Sequence, residues 1–240
     1  MQIIMRPMTE EEAWKQISND YNLFHSSLKK YGYRCWNFIP KPMYELFNKP
    51  NLSEQGINYA HQKFMEIYNR NVKVLNRFDD IFESYVKPML ERAVNKFLIP
   101  LLSSWNAILP EKLEILCTFG KGAGYLRKSD KEAEIRFRMS RYPDDKDAVL
   151  NTLFHEFVHL LIEKPIIQLY NVPQDLKERI VDLICYEFIQ IPVQKMFENS
   201  FANAYITPET IKTDLPGAVK KMMIDYKILQ QKQMQQGQSL

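Results

Sequence analysis

Two histidines and a glutamate lie within five consecutive residues, His155-Glu-Phe-Val-His159. In a helix, residues four apart lie on one face with about 5–6 Å between Cβ atoms, so both imidazoles can reach one metal ion. Glu156 follows the first histidine, where its carboxylate can take a proton from an attacking water. In a chain of this composition the pattern arises by chance at a rate of roughly 0.5%, so we predict a zinc site.

The residues around this motif are those of a helix with one polar side. Asn151 and Thr152 lie one turn before His155. Pro143-Asp-Asp145 precedes the segment and Pro165 follows it, so we expect the helix to end at Lys164. Its remaining positions are apolar: Val149, Leu153, Phe154, Phe157, Val158, Leu160 and Leu161.

A catalytic zinc ion needs a third protein ligand, and four acids follow the motif. Glu163 lies on the motif helix one turn past His159, so its side chain would have to run back along the helix axis to reach the metal ion. Asp175 is placed to cap the next helix. Glu178 is separated from His159 by 18 residues, a gap that fits a loop and one turn of a crossing helix, so it is the predicted ligand. Asp182 follows one turn later on the same face, where it can orient a ligand imidazole.

The pattern resembles that of the gluzincin metallopeptidases, which include thermolysin-like enzymes and single-zinc aminopeptidases. The resemblance covers about Leu113 to Gln190. It implies His155, His159 and Glu178 on zinc, Glu156 as general base and acid, and Asp182 behind His155. It also implies a small sheet before the motif helix, with the segment 132–140 as an edge strand that lines the cleft and pairs with substrate.

Several related classes fit the sequence less well. The chain has no Gly-x-Met-Glu-Asn segment, which the aminopeptidases of this group use to hold a free amino end, so an endopeptidase is favoured. His159 is not followed by the Gly and third His of the metzincins. Cys117 lies upstream of the motif, but without the loop sequence of a deformylase. Tyr170 lies between the two ligand-bearing segments and is the first candidate for oxyanion stabilisation, beside Tyr186, Tyr205 and Arg179.

The elements around the motif predict an α+β protein with a helical N-terminal region and a zincin-like domain that contains a small sheet and two ligand-bearing helices. Thr9 and Glu12 form a predicted capping box at the start of the first helix. Further helices are expected at 53–76 and 79–98, with an interruption near Pro88. Three short strands follow within 113–119, 125–127 and 134–139. A final helix at about 217–230 runs into a Gln-rich tail. The predicted regions are 1–110, 111–232 and 233–240.

Composition excludes several other classes of protein. The 240 residues carry a net charge of +3, with 45% hydrophobic and 25% charged residues. This balance argues against nucleic acid and anionic membranes as partners. No apolar run reaches the roughly 18–20 residues that span a bilayer. The first residues lack the pattern of a signal peptide, and three scattered cysteines form no disulfide framework, so a cytoplasmic location is expected.

Together these patterns predict a zinc metallopeptidase that acts on a peptide or protein substrate. In one alternative the N-terminal helices hold the enzyme latent until a partner or a cleavage releases it. In the other, the chain is a non-catalytic binding protein with a zincin-like fold that keeps zinc as a structural element. Glu156 argues against the second, because structural zinc has no use for a general base. The oligomeric state is open.

Overall fold

The chain has a mixed α+β structure in which helices predominate over one small sheet. The structure is a computed structural model that describes residues 1–26, 29, 43–118, 123–138, 145–190 and 200–237. This architecture confirms the predicted α+β class. Within the described residues, no helix combines the length and apolar character that crossing a bilayer requires.

The sheet contains four strands: β1 (Gln2–Pro7), β2 (Lys112–Thr118), β3 (Ala123–Arg127) and β4 (Glu132–Arg138). Their spatial order is β1-β2-β4-β3, with β1, β2 and β4 parallel and β3 antiparallel to β4. The three strands after residue 110 were predicted, and β1 was not. The prediction of an edge strand at 132–140 is wrong, because β4 has a hydrogen-bonded neighbour on each side. The short hairpin folds β3 back outside β4, so in the described sheet β1 and β3 are the outer strands.

Nine helices lie in the described part of the chain, several of them continued by turns of wider or tighter geometry. They are α1 (Glu10–Ser26), α2 (Tyr44–Phe47), α3 (Glu54–Ile81), α4 (Lys87–Ala93), α5 (Lys146–Ile162), α6 (Gln174–Ile189), α7 (Ser200–Asn203), α8 (Pro208–Thr213) and α9 (Leu215–Gly237). π-helical turns cover Phe82–Val86, Val94–Leu98 and Glu163–Gln168, and a 3-10 turn covers Ile99–Leu101.

Three predicted helix boundaries are wrong. The segment from Glu54 to Leu101 stays helical throughout, with π-helical turns before and after the stretch that contains Pro88. The motif helix does not end at Lys164, because a π-helical turn carries the chain past Pro165; such a wide turn accommodates the missing N–H of proline. The last helix continues to Gly237, since Gln, Lys and Met are all good helix formers. Residues 238–240 of the predicted tail lie outside the described residues.

The chain divides into two compact units. The first contains Met1–Pro88 and Glu111–Thr152, and the second contains Met89–Pro110 and Leu153–Leu240. These units divide the chain differently from the predicted regions 1–110, 111–232 and 233–240. One physical reason is β1, which places the first residues of the chain in the same sheet as β2.

The first unit carries a layer of paired charges on one face of its sheet, and Glu134 is its buried member. Glu134 is only 3% exposed and lies 2.7 Å from Lys128 and 2.6 Å from Arg136. The alternation of charged and apolar residues from Glu134 to Arg138 predicts a solvated face that includes Glu134, and for Glu134 this prediction is wrong. Arg6 of β1 joins Glu114 of β2 at 3.0 Å and Glu12 of α1 at 2.6 Å. The carboxylates in this layer are thus paired with cations, as burial of charge requires.

Two acids of α1 have altered proton affinities. The hydrogen bond from Arg6 lowers the pKa of Glu12 to about 2. Glu12 also completes the predicted capping box: its carboxylate accepts from the Thr9 N–H at 2.8 Å, and its own N–H donates to Thr9 Oγ1 at 3.2 Å. On the same helix, burial raises the pKa of Asp20 to about 6, and the charge of Arg136 offsets part of this shift.

The second unit is built around α5 and α6. The apolar residues predicted for the motif helix are buried along the length of α5: Val149, Leu153, Phe154, Phe157, Val158, Leu160 and Leu161. From α6, Leu176, Ile180, Val181 and Ile184 are buried as well. Trp105 is fully buried and its Nε1 donates to the carbonyl of Ile211 at 2.7 Å. This core fixes the two helices that carry the predicted ligands.

Candidate metal centre

The motif histidines project from the middle of α5. Asp145 starts this helix by accepting the N–H of Ala148 on its carboxylate at 2.9 Å. Nine residues of α5 precede His155, so the imidazoles at positions four apart share one helix face, and their ring centroids are 4.7 Å apart. Their side chains are 12% and 3% exposed. The two rings are therefore held by a buried helix at the border of the core.

Glu178 reaches both imidazoles from α6. Its Oε2 lies 3.2 Å from His159 Nε2 and 3.4 Å from His155 Nε2, and the two Nε2 atoms are 3.0 Å apart. Ligand atoms bonded at about 2.0–2.1 Å to a tetrahedral zinc ion are separated by about 3.3 Å. The three observed separations are close to that value. Among the described residues, these three side chains form the cluster of donor groups that could hold a metal ion.

The other acids near the motif lie in different contacts. Glu163 accepts from Gln168 at 3.2 Å and lies 3.6 Å from Lys177 Nζ. Asp175 is exposed in the first turn of α6. The structure therefore brings Glu178, and not Glu163 or Asp175, to the two histidines. Whether the cluster binds a metal ion stays a prediction.

Asp182 lies behind His155, as the sequence predicts. It is 3% exposed, and its Oδ1 is 3.6 Å from His155 Nδ1. One turn of α6 separates Asp182 from Glu178, so two side chains on one face of this helix lie near the two ring nitrogens of His155. A negative charge on the Nδ1 side favours a proton there and leaves the Nε2 lone pair directed at the cluster.

The cluster alters the pKa of each member. Burial alone would lower the pKa of His155, but contact with Glu178 and the charges of Glu156 and Asp182 raise it above the ordinary value. For His159, burial dominates and lowers the pKa. Burial opposes ionisation of Glu178, yet its contacts with both imidazoles hold its pKa well below the usual range. Glu178 is therefore an anion facing two imidazoles, as a metal ligand must be.

Glu156 follows His155 on α5 and lies within electrostatic range of α6. Its pKa is raised to about 7, chiefly by burial; the charge of His155 opposes this shift, that of Glu178 adds to it, and that of Lys177 opposes it. Lys177 has a side chain that is 14% exposed and lies beside Glu163. Glu156 is thus a sheltered carboxyl group next to the cluster that is not one of its three members.

The candidate oxyanion donors have different surroundings. Tyr170 is half-buried at the end of the helical segment that follows the π-helical turn. Tyr186 is 50% exposed on α6, and the Tyr205 hydroxyl donates to Asp225 at 2.7 Å. Arg179 is 5% exposed and its Nε donates to Asn203 Oδ1 at 2.8 Å. Stabilisation of an oxyanion by Tyr170 stays a prediction.

Two neighbours of the cluster were not anticipated from the sequence. Gln174 Nε2 donates to Glu178 Oε1 at 2.6 Å. Lys177 acts electrostatically on both Glu156 and His159. The helical spacing of Gln174 and Glu178, four residues apart, is a signal that could have indicated the first contact.

Comparison with protein-family models, with curated protein sequences and with solved structures found no match to this chain. The function must therefore be argued from the cluster itself.

Proposed function

We propose that the chain is a zinc-dependent metallopeptidase of the gluzincin type, with a zincin-like catalytic fold. The observation that supports this most directly is the convergence of two imidazole nitrogens and one carboxylate oxygen at separations of 3.0–3.4 Å. Glu156 beside this cluster and Asp182 behind it supply the other two groups that such an enzyme needs.

The donor set fits zinc. Two neutral imidazoles and one carboxylate form a ligand set found in catalytic zinc sites, which keep a fourth position for water or substrate. When bound, zinc would supply Lewis-acid chemistry, making a water acidic and polarising a carbonyl. His155, His159 and Glu178 would hold the ion, and Asp182 would keep the His155 ring in the tautomer that exposes Nε2.

In peptide hydrolysis Glu156 would act twice. It first accepts a proton from the water that attacks the scissile carbonyl. It then gives a proton to the leaving nitrogen as the C–N bond breaks, so that one water is consumed and a carboxylic acid and an amine are formed. Burial of Glu156 keeps bulk water from competing for that proton.

The proposed substrate is an internal peptide bond of a peptide or unfolded protein. The sequence carries no segment of the kind that fixes a free amino terminus in related aminopeptidases. Latency imposed by the N-terminal helices is the alternative form of this proposal, and comparing the activity of the intact chain before and after limited proteolysis of that region tests it.

The decisive variant is Glu156→Gln. It removes the base and leaves the three ligands, so zinc content should stay near one per chain while hydrolysis of an unfolded protein falls by about 10²–10⁴. Zinc is measured by elemental analysis and cleavage by release of new amino groups. Glu163→Gln is the matched control, because Glu163 is an acid on the same helical segment whose carboxylate contacts Gln168 and Lys177.

Two outcomes would contradict the proposal. If Glu156→Gln cleaves as fast as wild type, Glu156 is not the base. If wild type binds one zinc ion but cleaves nothing, even after limited proteolysis of the N-terminal region, the non-catalytic zinc protein becomes the better description.

A further inference from the structure

Gln174 contacts the ligand carboxylate on the side away from the histidines. It is the first residue of α6, and its Nε2 donates to Glu178 Oε1 at 2.6 Å. A carboxylate accepts only, so the amide nitrogen must be the group that faces it. Glu178 Oε2 faces both imidazoles. The two oxygens of one carboxylate therefore have different partners.

The backbone before α6 sets this contact. Pro173 caps the helix with φ −62° and ψ 156°, and its carbonyl accepts the N–H of Lys177 at 2.9 Å. The helix is therefore formed from its first turn, which places Gln174 and Glu178 four residues apart on one face. Gln174 itself is exposed, so the contact contributes little to the core.

We propose that Gln174 is a positioning residue that holds Glu178 in one-oxygen coordination of the metal ion. This inference rests on the proposed zinc site. A carboxylate that binds through both oxygens would occupy the position that water or substrate needs. A hydrogen bond on Oε1 engages that oxygen and directs Oε2 to the imidazoles. Outer partners of this kind typically change metal affinity or activity by about 10–100-fold.

Gln174→Met tests the role, because methionine has a similar length and helix propensity but no donor. Gln168→Met is the matched control: Gln168 makes the same kind of exposed amide–carboxylate contact, with Glu163. The readouts are the zinc dissociation constant by competition with a chromophoric chelator, the visible spectrum of the Co²⁺-substituted protein, and the melting temperature of the metal-free protein.

We expect Gln174→Met to weaken zinc binding by about 10-fold and to reduce the visible absorption of Co²⁺, as coordination by both glutamate oxygens increases. The metal-free melting temperature should match wild type, and Gln168→Met should change none of the three readouts. If Gln174→Met has the zinc affinity and Co²⁺ spectrum of wild type, or if it lowers the metal-free melting temperature, the positioning role is wrong.

The two proposals fail in different ways. Zinc affinity and the Co²⁺ spectrum can be measured without peptide cleavage. If the protein binds zinc but cleaves no peptide, the proposed peptidase activity is wrong, and the two measurements still test the role of Gln174. A wild-type protein that binds no zinc contradicts both.

Discussion

Glu178 is distinguished from the other acids near the motif by its two imidazole contacts. Its side chain is 14% exposed and faces both rings, whereas Glu163 faces Lys177 and Gln168. Without a metal ion, the Glu178 carboxylate can share protons with the two partly buried imidazoles that it contacts. With a metal ion, the same three atoms would be deprotonated donors.

Substituting Glu178 and Glu163 in turn tests which of the two carboxylates binds the metal ion. Glu178→Ala should lower zinc affinity by at least about 100-fold and abolish hydrolysis, because only two of the three ligands remain. Glu163→Ala should leave both unchanged, since it removes a partly exposed ion pair with Lys177 and a hydrogen bond from Gln168. Zinc affinity is measured by chelator competition and activity on an unfolded protein. Loss of zinc from Glu163→Ala with retention by Glu178→Ala would exclude the gluzincin assignment.

The residues of the cluster could be chosen from the sequence because their geometry is mostly local. Spacings of four place His155 with His159, and Glu178 with Asp182, on single helix faces. The direction of the helix axis argued against Glu163. Glu178 was chosen because the 18 residues between it and His159 fit a loop and one turn of a crossing helix, as the resemblance to gluzincins also implies. Lys177 could not be anticipated, since its effect on Glu156 depends on how two helices pack and on the conformation of a long side chain.

At the scale of elements, α1 carries one acid that stabilises the fold at neutral pH and one that destabilises it. The pKa of Glu12 is lowered to about 2 by Arg6, so its contribution is complete above its ordinary pKa of 4.5 and is lost as the pH falls toward 2. Asp20 behaves in the opposite way. Its pKa is raised from 3.8 to about 6, so the folded protein becomes less stable as the pH rises through this interval.

Asp20→Asn should therefore stabilise the protein at pH 7.5 by roughly 1–3 kcal/mol, because it removes a half-buried charge. At pH 4 the gain should be much smaller, since Asp20 is then largely protonated in the folded state. Urea denaturation at the two pH values measures the difference. Glu11→Gln, at an exposed position on the same helix, is the control. A gain that is equal at both pH values would show that the charge of Asp20 is not its cause.

The elements with local signals were the ones that could be predicted. A short apolar run bounded by a glycine turn located β2, the turns on either side located β3, and alternation located β4. Thr9 with Glu12 located the start of α1. The strand β1 was missed because its partner lies far along the chain, and short-range patterns carry no information about such pairing. The burial of Glu134 was missed for a related reason: its partner Lys128 lies on the preceding hairpin, and alternation alone marks it as a solvated residue.

At the scale of the whole molecule, the metal ion should act on the stability of the fold. The three predicted ligands come from α5 and α6 of the second unit, so a metal ion that binds the folded state raises its unfolding free energy. At 100 times the dissociation constant the gain is about 2.7 kcal/mol.

Zinc should thus raise the melting temperature of the wild-type protein by several degrees, and a chelator should reverse the shift. His159→Ala should lose the shift, whatever its metal-free melting temperature. His61→Ala is the control, because His61 lies near Glu10 and Trp14 in the first unit. A shift of equal size in His159→Ala would show that zinc acts elsewhere on the chain. Scanning fluorimetry with and without the metal ion provides the measurement.

The position of β1 has a consequence for how the protein is made. Gln2 pairs with Lys112 and Pro7 with Cys117, so β1 must wait for its partner strand until about a hundred further residues have been translated. During that time its backbone donors and acceptors have no partner in the sheet. Closing so long a loop is slow. The nascent chain therefore presents β1 as an unpaired strand for several seconds before the sheet can form.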